Sequence, residues 1–164
     1  MYKRKNKTFW PAVGLGLLAI LALAAGCSQT PTEAPTSTVI SGYDSLGVAT
    51  GDLTDTHHFL SGSTNYGSFW LELVSAIPDP HQVKFCTNYG LKLGTGSVAP
   101  DSGYSNELPF DNSLLGQSFF LITDNVPHYG KITITSRRDD AASGYTFIGF
   151  QWVVQTVAGK KELY

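Results

Sequence analysis

Four histidines, His57, His58, His81 and His128, and two cysteines, Cys27 and Cys86, are the side chains of this 164-residue chain best suited to ligate a metal or attack an electrophile. His57 and His58 are adjacent, so in an extended segment they point to opposite faces and cannot grip one ion from the same strand. His81 follows Asp79-Pro80, and His128 precedes Tyr129; both sit among turn-forming residues, where loops on a rigid sheet often carry binding groups. Around Cys86, the run Val83-Lys84-Phe85-Cys86-Thr87 reads as a strand with Cys86 on the face of Lys84 and opposite Phe85. No His, Asp or second Cys stands beside it in sequence to depress its pKa, so it reads as a buried, inert thiol. There is no His-Glu-x-x-His, Cys-x-x-Cys, Gly-x-Ser-x-Gly or phosphate loop. Gly94-Thr95-Gly96-Ser97-Val98-Ala99 matches the letters of a dinucleotide fingerprint, but Pro100-Asp101-Ser102-Gly103 follows where a helix would have to begin. It reads as a glycine-rich loop. With no nucleophile and base to name, the chain reads as a binding protein rather than an enzyme.

Cys27 has a different setting. Lys3, Arg4, Lys5 and Lys7 precede an apolar stretch from Phe9 to Ala25, the layout of a secretory signal, and the stretch is short for a membrane span. It ends in Leu23-Ala24-Ala25-Gly26-Cys27, which resembles the lipobox of bacterial lipoproteins, with Ala24 where Leu is commonest and Leu23 one place further out. The resemblance implies cleavage before Cys27, acylation of its sulfur, and membrane anchoring by two or three chains at about 0.8 kcal/mol per buried methylene. Ser28 resembles the sorting residue of outer-membrane lipoproteins, so the expected location is the outer membrane, facing the periplasm or the cell surface. Cys86 is then left without a disulfide partner.

With residues 1–26 removed, seven Lys and Arg face thirteen Asp and Glu, a net charge of −6. The basic pair Arg137-Arg138 is cancelled by Asp139-Asp140, which leaves no basic stripe for nucleic acid. Residues 27–38, CSQTPTEAPTST, read as the lipidated cysteine and an extended tether. Residues 39–164 are one domain by length.

Glycines, serines and threonines punctuate short runs of Val, Ile, Phe, Tyr and Trp in that domain, which predicts an all-β fold, an antiparallel sandwich or partly closed barrel. The strongest strand is 145–156, YTFIGFQWVVQT, with Thr146, Ile148, Phe150, Trp152 and Val154 on one face and Gly149 marking a bend or bulge. Further strands are expected at 68–74, 82–87, 90–93, 118–123 and 131–136. Hairpin turns are expected through 124–130 and 137–144, a short helix at 113–117, and a closing strand at 162–164. Trp152 lies in an apolar register and reads as core. Trp70 has no such register, and its ring is a candidate for stacking on a ligand.

The succession 119–123 FFLIT, 129–134 YGKITI and 147–156 FIGFQWVVQT, with 83–96 upstream, resembles the carboxyl-terminal part of HmuY-type lipoproteins, an all-β family whose founding members capture haem. The resemblance implies a fold and a haem-binding possibility. Axial ligands in the family are His or Met, and Met1 is the only methionine here, so His57, His58, His81 and His128 are the candidate ligands, none of them carried over by position. Haem ligation would need two neutral imidazoles facing each other across a flat apolar slot. The expected function is a lipid-anchored binding module for haem or another small ligand; the alternative is an envelope assembly or adhesion module that binds a protein or a glycan.

Overall fold

Alternation of buried and exposed residues along eight strands organises residues 38–76 and 80–164, the part of the chain that the computed structural model describes. Cys27, the expected tether as far as residue 37, and Asp79 lie outside the described residues. The strands are β1 (Val39–Val48), β2 (Thr54–Ser61), β3 (Thr64–Ser75), β4 (Gln82–Leu93), β5 (Ser105–Pro109), β6 (Ser118–Ile122), β7 (Tyr129–Asp140) and β8 (Tyr145–Gln155). A single 3-10 turn, Asn112–Leu114, stands one residue before the expected short helix and is capped by the Asp111 carboxylate on the Ser113 N–H at 2.7 Å.

All pairings are antiparallel, in the order β1-β8-β7-β6-β4-β3-β2, with β5 added to β4. The two ends of this path, β1 and β2, are consecutive in sequence and lie side by side, so the sheet is a nearly closed barrel. A tight link closes their turn: Ala49 and Asp52 exchange both backbone hydrogen bonds at 2.8 and 2.9 Å. The Gly47 N–H donates to the Asp55 carboxylate at 2.9 Å a little further along. An antiparallel, all-β, partly closed barrel is therefore the architecture, as the composition implied.

The register of β8 matches its alternation. Thr146, Ile148, Phe150 and Val154 are buried, and Trp152 packs half-buried against the same core. That core is dominated by phenylalanine: Phe59, Phe69, Phe85, Phe119 and Phe150 are at most 1% exposed. Each such burial contributes about 1.5–3 kcal/mol against the exposed state. Thr38, the last residue of the expected tether, is already docked, its carbonyl accepting from the Thr156 N–H and hydroxyl at 2.7 and 2.8 Å.

Four expectations are corrected. The runs 82–87 and 90–93 are one strand, β4, which turns at Gly90 (φ +138°) and passes from β3 to β6, pairing with β5 both before the turn and at Leu91. The turn expected at 137–144 is shorter, because β7 continues through Asp140. Cross-strand contacts explain this: the Arg138 guanidinium lies 4.6 Å from the Phe147 ring centroid, and the Thr146 hydroxyl donates to Asp139 at 2.6 Å. The irregularity expected at Gly149 falls on its partner β7, whose register shifts between Ile134 and Ser136; a Cβ at position 149 would come within 2.4 Å of the Ser136 oxygen. The closing strand at 162–164 reduces to one bridge, Val98 to Glu162.

Three strands, β1, β2 and β5, were not foreseen. β1 carries Gly42 and Gly47, which sequence reading treats as breakers. Both are glycine because an aromatic ring from β8 lies over them: a Cβ would meet Trp152 at 2.8 Å and Phe147 at 2.5 Å.

Candidate functional site

The four histidines occupy four different environments. His57 faces the barrel core and His58 the outside, as their adjacency dictates. His58 is exposed beside the Asn65 amide at 3.4 Å. His128 sits in the β6–β7 loop, its Nδ1 2.7 Å from the Asp124 carboxylate and its ring edge-on to Tyr66. His81 precedes β4; its carbonyl accepts from Arg137 at 2.8 Å, and its side chain lines a shallow pocket of about 350 Å³ with Asp139, Asp140 and Tyr145.

Among the described residues no three His, Cys, Asp or Glu side chains converge on a point that could hold a metal ion. A haem slot at His57 is not present either. Its ring is enclosed by Phe59, Phe69, Phe150 and Trp152, at centroid distances of 4.9, 5.8, 5.3 and 5.4 Å, which fill the space a flat macrocycle would need. The glycine-rich run 94–99 follows a strand but leads into the Val98 bridge rather than a helix, so it lacks the N-terminal amides that a pyrophosphate requires.

The outer face of β3, β4 and β5 has the more developed surface. Phe69 and Leu71 of β3 are buried, so alternation turns Trp70 and Glu72 outward. Register then places Cys86 and Lys84 of β4 opposite Trp70 and Glu72, and Glu107 and Pro109 of β5 beside Cys86 and Lys84. Trp70, Glu72, Lys84, Cys86 and Glu107 line a groove of about 500 Å³ on this face. The Lys84 ammonium donates to Glu107 at 2.7 Å and lies 3.3 Å from Glu72. Its pKa is raised by these two carboxylates, Glu107 first, so it stays charged. One ammonium thus bridges two carboxylates beside a half-buried indole. The sequence singled out Trp70 but not Glu72 and Glu107, because the two carboxylates, from β3 and β5, meet at Lys84 of β4 only through strand pairing.

Cys86 lines this groove on the face opposite Phe85, as alternation implied, and is only 4% exposed because β3 and β5 flank it. Its thiol donates to Glu72 at 3.5 Å. Burial, reinforced by the Glu72 charge, pushes its pKa up to about 12. The thiolate fraction at pH 8 is then roughly a thousandfold below that of a free cysteine. In a Cys27→Ser variant, native protein at pH 8 is expected to resist iodoacetamide and to react promptly in urea; fast labelling of the native state would contradict a buried, protonated thiol.

The chain matches no protein-family model, and neither the curated proteins nor the solved structures include a significant match to it.

Proposed function

We propose that this chain is a lipid-anchored binding module of the bacterial envelope whose groove around Trp70 receives a glycan. The observation that carries the reading is the pairing of a half-buried outward indole with an ordered row of polar groups, Glu72, Lys84 and Glu107, in one groove. A sugar ring offers the same division, with an apolar C–H face suited to the indole and hydroxyls suited to carboxylates, amides and ammonium. The groove lies within the range of about 300–1,000 Å³ found for small-ligand sites. The barrel interior is filled by Phe, Leu, Ile and Val side chains, so recognition falls to the outer surface.

Anchoring rests on the sequence at Leu23–Cys27 and its lipobox resemblance. Two or three acyl chains at Cys27 would hold the domain on a membrane with the glycan groove free, outer-membrane placement following from Ser28. An envelope glycan is a partner within reach of such a tether.

The test is calorimetric titration of the full chain in detergent with neutral, amino and acidic oligosaccharides, repeated on Trp70→Ala. Saturable binding is expected for at least one class, with affinity reduced about tenfold or more in the variant, the equivalent of roughly 1.4 kcal/mol of stacking. Trp70 projects from the outer face, so the variant should keep its fold. No binding across the panel, or binding indifferent to Trp70, would end this reading.

A further inference from the structure

The junction of β1 and β2 is closed by side chains where the ladder is missing. His57 reaches from β2 to β1, its Nδ1 2.8 Å from the Asp44 carboxylate. The same ring is 8% exposed, and its Nε2 is buried with no hydrogen-bond partner. The imidazole itself is packed among the four rings of Phe59, Phe69, Phe150 and Trp152.

The neutral imidazole suits this place. Nδ1–H donates to Asp44, and the bare Nε2 leaves only one unpaired acceptor in the apolar cage, a smaller cost than an unpaired charged donor there. Adding a proton forces a second N–H, and a positive charge, into a space with no acceptor, and an unpaired buried donor is costly. Asp44 attracts that charge, but its carboxyl is 51% exposed and water screens it. The other titratable groups near the ring are Asp55, whose carboxylate is engaged by Gly47 N–H, and His58, whose charge opposes that of His57. From β3 and β8 the aromatic rings of Phe69, Phe150 and Trp152 pack against it. Burial is the largest influence on His57 and lowers its pKa.

We propose that His57 is an acid-sensitive latch, holding β1 against β2 while neutral and releasing that seam when protonated. In the opened state the imidazole titrates near its ordinary value of 6.5, whereas in the closed state it titrates lower. The opened state therefore binds more protons, so closure is fully favoured above about pH 6.5 and is lost as pH falls towards the closed-state value. One proton sets the limit at about tenfold in the opening equilibrium per pH unit.

The experiment is hydrogen exchange on the full chain in detergent from pH 7.5 to 5, corrected for intrinsic exchange rates. Amides of β1 and β2 between Gly47 and Phe59 are expected to lose up to about tenfold protection per pH unit below 6.5, while the β6–β7 ladder keeps its protection. His57→Phe, which fills the cage with a ring that cannot titrate, should abolish the pH dependence, and the exposed His58→Ala should retain it. Constant seam protection, equal loss in β6–β7, or pH dependence surviving in His57→Phe would overturn the latch. If His57→Phe fails to fold, an NMR titration of the wild-type imidazole decides: a midpoint below 6.5 supports the latch and one at or above 6.5 overturns it.

Discussion

Replacing Gly67 by alanine is expected to destabilise the domain by about 4 kcal/mol or more, enough to leave little folded protein. Gly67 adopts φ +103°, outside the regions open to L-residues, and its neighbours are backbone. A Cβ would lie 2.0 Å from the Thr123 carbonyl oxygen and 2.4 Å from its carbon. Neither can retreat, because the same carbonyl accepts the Ser68 N–H at 3.1 Å and the buried Thr123 hydroxyl donates back to Tyr66. This contact ties the first half of β3 to the loop that joins β6 to β7. Gly62→Ala, in the β2–β3 turn, separates the two causes: it has φ +59° with nothing within 4 Å of a Cβ. It should cost only the backbone term, about 1–2 kcal/mol. Urea unfolding of both variants checks this, and similar losses at the two positions would refute the clash at Thr123.

Phe69→Ala should cost about 3–5 kcal/mol, a large share of the roughly 5–15 kcal/mol that holds a domain together. The side chain is wholly buried and touches rings from five directions. Phe59 stacks on it at 5.7 Å, and Phe150 meets it edge-on at 5.2 Å. Phe85, Phe119 and His57 follow at 6.1, 6.4 and 5.8 Å. Those partners belong to β2, β4, β6 and β8, so the cavity opens where the two halves of the barrel meet, and its walls are anchored in separate strands that cannot collapse together. Denaturant midpoints at constant m-value would measure the loss. A cost below about 1.5 kcal/mol would mean that the core repacks around the gap.

Phe69→Ala and the latch concern the same region. His57 and Phe69 are direct partners across β2 and β3, so Phe69→Ala should also loosen the cage around Nε2. Water admitted there would give the protonated ring an acceptor. The acid sensitivity of the seam should then weaken together with the stability, which couples the two measurements.

Much of the strand set was legible from residue types. In β8 a strict period of two separates Ile148, Phe150 and Val154 from Gln151, and the structure keeps that division. In β4 the same rule placed Cys86 opposite Phe85, although it is cover from β3 and β5 that buries the thiol. β1 and β2 escaped notice because their glycines, aspartates and histidines resemble loop composition. Their reasons for being strands, rings from β8 over Gly42 and Gly47 and the aromatic cage around His57, come from residues about a hundred positions away or on the neighbouring strands.

By itself, the sequence determined the fold class and the direction each strong strand faces, because backbone pleating imposes a local period that residue types can follow. It also carried the opposition of His57 and His58, a consequence of adjacency alone. Partnership was left to the tertiary structure. Glu72, Lys84 and Glu107 become one charged row beside Trp70 only through the β3–β4–β5 register, and Asp44 meets His57 only because the two ends of the sheet curl together. A period of two says which face a side chain occupies, but which strand lies next to it is chosen by the packing of the whole core.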